Sequence, residues 1–186
     1  MSKSLVGSIV IVMFVLGIGF GYVLTPEYSA YKINPVHGEG LGKPDKYLNL
    51  RFINGMIAHH LSAIYMLDQV KKESKRSELQ GLAEAIIKMD TQGIKDLYAL
   101  KAAMYGDSRL VTSFSHVELG SSDENFDLRF LNAMIIHHEE AIAVSKEAMA
   151  KSTNKEILGT AGAVNNILSE NLKQLESWRE AWYGVK

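Results

Sequence analysis

The sequence predicts an all-α protein, a four-helix bundle built from two repeated helical hairpins and preceded by an N-terminal transmembrane helix. Three observations carry this. The segment LRFINGMIAHHLSAI at 50–64 recurs as LRFLNAMIIHHEEAI at 128–142, offset by 78 residues. The same offset takes Leu79 to Ile157, Gly81 to Gly159 and Tyr105-Gly106 to Tyr183-Gly184, so the chain carries two copies of one supersecondary unit. No proline occurs from Asp45 to Lys186, which suits long uninterrupted helices. Finally, residues 5–24 form a twenty-residue stretch without a charge, long enough as a helix to span roughly 30 Å of hydrocarbon.

Taken in order, residues 1–24 read as an uncleaved membrane anchor. A cleaved signal peptide is the alternative, although its apolar core is usually only about 7–15 residues long. Lys3 and the amino terminus favour a cytoplasmic N-terminus, which puts the rest of the chain on the extracytoplasmic side, periplasmic or at the cell surface, or secreted if the segment is removed. All three prolines, Pro26, Pro35 and Pro44, fall in 25–44 together with Gly38, Gly40 and Gly42, the composition of a tether.

The bundle follows over 45–186, with repeats at 45–106 and 122–184. Phe52, Met56, His59, Ala63 and Met66 recur at i, i+4, i+7, i+11 and i+14, one stripe of a helix. Helices are expected near 45–74, 77–105, 122–150 and 153–183. Ser77 with Gln80, Ser121 with Glu124 and Thr153 with Glu156 read as capping boxes, and Gly106 and Gly184 as C-terminal caps. The joining segment 107–121 contains Leu110, Val111, Phe114 and Val117 and is expected to pack along the bundle as a crossover.

Composition narrows the function. Twenty basic against twenty-one acidic residues leave a net charge of −1, without the basic excess that nucleic-acid binding needs. There is no cysteine, hence no disulfide frame, thiolate metal site or thiol nucleophile. Phosphate-binding glycine loops and nucleophile elbows are absent from the sequence as well.

Four of the six histidines form two matched dyads, His59-His60 and His137-His138. Neighbours on a helix point about 100° apart, so one ring of each dyad can face the core while the other flanks it. Met56 and Met134 precede their dyads by one turn, and Met66 follows His59 by two turns. The candidate metal ligands are therefore Met56, His59, His60 and Met66 in the first repeat, and Met134, His137 and His138 in the second. Met89 is a further thioether, whereas the second repeat has Val144 in place of Met66, Ile167 in place of Met89, and adds Glu139 and Glu140. Imidazole accepts several metals, and thioether sulfur adds a preference for Cu(I), with Cu(II) and zinc as alternatives. A Glu-x-x-His di-iron pattern and a His-Glu-x-x-His zinc pattern are both missing.

The residues alone leave three readings open: a metal site, histidines that only hold a polar core, and acid–base or metal-assisted catalysis. His37 and His116 have no partner at ligand spacing. Arg51 and Arg129 recur beside the motif and read as solvated or as capping a neighbour's carbonyls. Asp90, Gln92 and Asp96 read as a polar helix face, and Trp178 and Trp182 as core or rim aromatics.

At Phe52-Ile53-Asn54-Gly55-Met56-Ile57-Ala58-His59-His60 and Phe130-Leu131-Asn132-Ala133-Met134-Ile135-Ile136-His137-His138 the sequence resembles the ferritin-like bundles of the domain of unknown function 305 family. Ala58 and Ile136 stand where that family has proline. The resemblance covers about 45–186. It implies an exported or membrane-anchored bundle binding copper through these Met and His positions, in copper tolerance, buffering or delivery to a partner, with a homo-oligomer as a further option.

Overall fold

The computed structural model describes residues 40–185, and within them the chain forms four α-helices and no strand. These are α1 (Leu48–Glu73), α2 (Ser77–Tyr105), α3 (Phe126–Lys151) and α4 (Lys155–Tyr183). The transmembrane segment expected at 5–24, most of the tether and His37 lie outside the described residues. Among the described residues, no helix is long and apolar enough to cross a membrane.

The repeat is obeyed to the residue. α1 and α3 are each 26 residues long, α2 and α4 each 29, and both pairs start 78 residues apart. Gly106 and Gly184 end their hairpins in the left-handed conformation, at φ 61° and 64°, where a β-carbon would be strained. Their N–H groups close the last turns on the carbonyls of Ala102 and Glu180.

The three expected capping boxes do not form. Arg76 is the N-cap of α2 and has no side-chain cap, while Ser77 Oγ donates to Glu78 instead. Asn154, not Thr153, caps α4, its Oδ1 accepting from the N–H groups of Glu156 and Ile157. An Asx oxygen one residue nearer the helix wins that contest.

α1 and α3 also start later than expected, at 48 and 126, for a shared reason. Arg51 Nε donates to the Leu41 carbonyl at 2.7 Å, Nη2 to the Lys43 carbonyl, and the guanidinium pairs with Asp45. Seventy-eight residues on, Arg129 makes the same contacts with Leu119, Ser121 and Asp123. Each fork holds the preceding strand of chain off the helical path. Consequently residues 40–44, expected as tether, belong to the packed unit: Leu41 is fully buried, and its N–H donates to Glu147 Oε2 on α3.

α1 packs on α2, α3 packs on α4, and the two hairpins meet along α1 and α3. Two apolar clusters result. One joins Met66, Leu67 and Val70 of α1 to Phe130, Leu131 and Met134 of α3. The other joins Phe52, Ile53 and Met56 of α1 to Ala141, Val144 and Ala148 of α3. The N-terminal half of α1 thus faces the C-terminal half of α3, so the pair is antiparallel, and the histidine dyads fall between the clusters.

The crossover does pack along the bundle. Val111 N–H donates to Tyr98 Oη, Ser115 N–H to Ser62 Oγ, and Gln69 bonds both the Val117 carbonyl and the Leu119 N–H. Leu110 departs from expectation and is 65% exposed. The Arg109 carbonyl and the Val111 N–H turn inward to Lys101 and Tyr98, and the side chain between them faces out.

Candidate metal centre

At the centre of the α1–α3 contact, His59 and His137 stack, with ring centroids 3.7 Å apart and planes 8° from parallel. His59 Nε2 lies 3.2 Å from the His137 carbonyl; when it carries the proton it donates there, and Nδ1 is left as the lone-pair nitrogen. That Nδ1 is buried without a hydrogen-bond partner. Burial holds the His59 pKa well below the ordinary imidazole value, and the neighbouring His137 and His60 push the same way. His138 is equally enclosed, 2% exposed, and burial lowers its pKa to about 4 against the opposing pull of the Met134 carbonyl and Asp90. Both rings are therefore neutral at pH 7, the form in which imidazole binds a metal.

His60 points the other way, into a cleft of about 770 Å³ between α2 and α4. Its Nδ1 lies 2.9 Å from Asp90 Oδ1, a contact at ion-pair distance that falls short of a well-aligned hydrogen bond. Met56 and Met89 line the same cleft, and so do Gly93 of α2 and Ile167 of α4. Met89 and Ile167 are repeat-mates, 42% and 43% exposed, and face one cleft from opposite helices.

The seven sequence-derived candidates are thus divided. Met56 and His60 share the cleft. His59 and His137 stack beside it on the α1–α3 seam. Met66 does not join Met56: it is fully buried in the other apolar cluster, together with Met134. Ten residues of helix separate the two methionines of α1 by roughly 15 Å, so one ion cannot touch both. The expectation that each dyad has one core ring and one flanking ring holds in the first repeat, whereas His137 and His138 are both buried. Among the described residues, no three His, Asp or Glu side chains converge on one point.

Asp90, expected on a polar face of α2, is buried at 4% exposure. A signal for it was present: Leu79, Ala83, Ile86, Asp90, Leu97 and Lys101 keep helical spacing, and all six are buried. A carboxylate on the apolar stripe of a helix needs a partner, and His60 is that partner. Gln92 and Asp96 remain exposed and bond to each other. His116 packs against Tyr65 and Phe114 on the crossover, away from the dyads.

The solved structures most like this one include CopM in its Cu(I)-bound form, with 26% identity, a TM-score of 0.65, and 73% of this chain and 97% of that one covered. The apo form of CopM matches at 26% identity and a TM-score of 0.65, covering 73% and 98%. The Cu(II)-bound form, at 23% identity and the same TM-score, agrees in fold. No curated protein matches the chain in sequence. Residues 49–125 and 127–186, most of both hairpins, match the family described as "Domain of unknown function (DUF305)", and the chain belongs to that family.

Proposed function

We propose that this protein binds copper, with Cu(I) preferred, and buffers it or passes it on in copper tolerance. The observation that carries this is the cleft that His60 lines together with two thioethers, Met56 and Met89, beside neutral, buried imidazoles. Imidazole with thioether is a soft donor set that suits Cu(I) over zinc or Cu(II). CopM, which shares the fold at 26% identity, is described in a Cu(I)-bound form, and this supports the choice of metal. The uncharged stretch at 5–24 supports a membrane anchor with the bundle on the extracytoplasmic side, and retention of the protein in membranes after carbonate washing tests it.

The test of the metal is a titration of the full chain with Cu(I) against a chromogenic chelator under reducing conditions. We expect His59→Ala/His60→Ala to weaken binding more than His137→Ala/His138→Ala, because His60 lines the cleft together with Met56 and Met89. Equal losses would argue for one site shared by α1 and α3. Binding unaffected by either pair would return the histidines to a purely structural role.

A further inference from the structure

We propose that Asp90 is the positioning residue of the copper site: it holds Nδ1 of His60 and leaves Nε2 as the nitrogen that faces the metal in the α2–α4 cleft. The proposal rests on the copper reading above and adds which nitrogen, which repeat and which wall of the bundle are used.

Three observations support it. His60 Nδ1 is 2.9 Å from Asp90 Oδ1, and the side chains are 17% and 6% exposed, so the pair sits at the closed floor of the cleft. A carboxylate on one imidazole nitrogen fixes the tautomer and the ring direction, and raises the basicity of the other nitrogen. Second, a β-carbon added at Gly93 would come 3.3 Å from His60 Nε2, tighter than an ordinary contact. Glycine within a helix costs about 1 kcal/mol relative to alanine. Here it lets α2 lie close over the His60 ring, where the same β-carbon would come 3.7 Å from Cδ2 and Cε1 as well, and so fixes the ring's orientation.

Third, the duplicated half lacks all of this. The repeat-mates of Met89, Asp90 and Gly93 are Ile167, Leu168 and Asn171, so α4 supplies neither a carboxylate nor a thioether at these positions, and Asp90 itself is the carboxylate whose field reaches His138. Ile167 and Leu168 line the cleft opposite the donors and make an apolar wall. One repeat supplies the donors and the other an apolar surface that faces them.

The experiment uses the full chain, stripped of metal and then titrated with Cu(I) against a chromogenic chelator. Asp90→Leu installs the residue of the second repeat, and Asp90→Asn is the near-isosteric variant should the leucine disturb folding. Both should weaken Cu(I) binding about 10–100-fold, the usual consequence of losing such a partner. In the metal-free protein, nitrogen NMR of the His60 ring should show Nδ1–H in the wild type and a shift toward Nε2–H in the leucine variant. Gly93→Ala should weaken Cu(I) binding with its helical circular dichroism unchanged. Wild-type binding that survives undiminished in both Asp90 variants would overturn the assignment and leave the copper reading standing. A wild type that takes up no Cu(I) would overturn both.

Discussion

His59 and His137 are the same position in the two repeats, and they lie face to face, 3.7 Å between centroids. The internal pseudo-twofold relation of the fold therefore passes between two imidazoles. Replacing one of them separates packing from ligation. His137→Phe should keep the stacking and leave metal-free stability within about 1.5 kcal/mol of wild type, the range of a volume-conserving swap. His137→Ala should cost about 2–4 kcal/mol by opening a cavity under His59. Chemical denaturation of the two variants checks this, and equal losses would show that the ring is not a packing element.

The cleft offers a gain-of-function test. Ile167 faces it from α4 at the repeat-equivalent of Met89. Ile167→Met adds a third thioether to the wall and is expected to tighten Cu(I) binding several-fold without a stability penalty, since the site is 43% exposed. Isothermal competition with a chelator would show it, and unchanged affinity would move the metal away from that wall.

A pH dependence follows from Asp107, at the start of the crossover. Arg109 grips it through Nε and Nη2 at 2.8 Å, the Arg109 N–H adds a third bond, and Lys101 lies 3.5 Å away. These hold its pKa at about 2, with the Arg109 side chain the main cause and burial opposing. A carboxylate with a depressed folded-state pKa stabilises fully above its unfolded value of 3.8, and that contribution is lost as pH falls toward 2. The shift corresponds to about 2 kcal/mol. Asp107→Asn should lose about that much at pH 7 and show a flatter stability profile between pH 4 and 2.

The two arginine forks differ in burial, and their mutants should differ with it. Arg51 is 7% exposed and Arg129 37%. Arg51→Ala should cost about 2–3 kcal/mol, as expected for charge-assisted bonds removed from enclosed carbonyls. Arg129→Ala should cost visibly less, because water can reach the carbonyls it leaves. Urea midpoints of the two single mutants decide it.

Much of this architecture was legible in the chain. The 78-residue offset placed both hairpins, and the proline-free run and the two glycines fixed helix ends to within a few residues. Periodicity put His59 on a buried stripe. It misled at Met66, because a stripe records the side of a helix and not the height along it. The capping box at Thr153 failed because Asn154 stands one residue nearer the helix and takes its N–H groups, and spacing alone does not decide that contest. Asp90 was less legible because carboxylates usually face solvent, although its spacing from Ile86 and Leu97 is that of a core position. The forks agree with the reading of Arg51 and Arg129 as capping neighbouring carbonyls, and the residues they engage repeat as well, Leu41-Gly42 and Asp45 returning as Leu119-Gly120 and Asp123.

The fork at Arg51 also has a mechanical side. Leu41 is pinned to α1 through Arg51, and its N–H is bonded to Glu147 of α3, while Lys151 of α3 grasps the Gly42 carbonyl and Glu147 itself. Tension arriving along the backbone at residue 40 is shared at once between the first helix and the third. That end of the chain is therefore tied to both halves of the duplicated fold and not to the first hairpin alone.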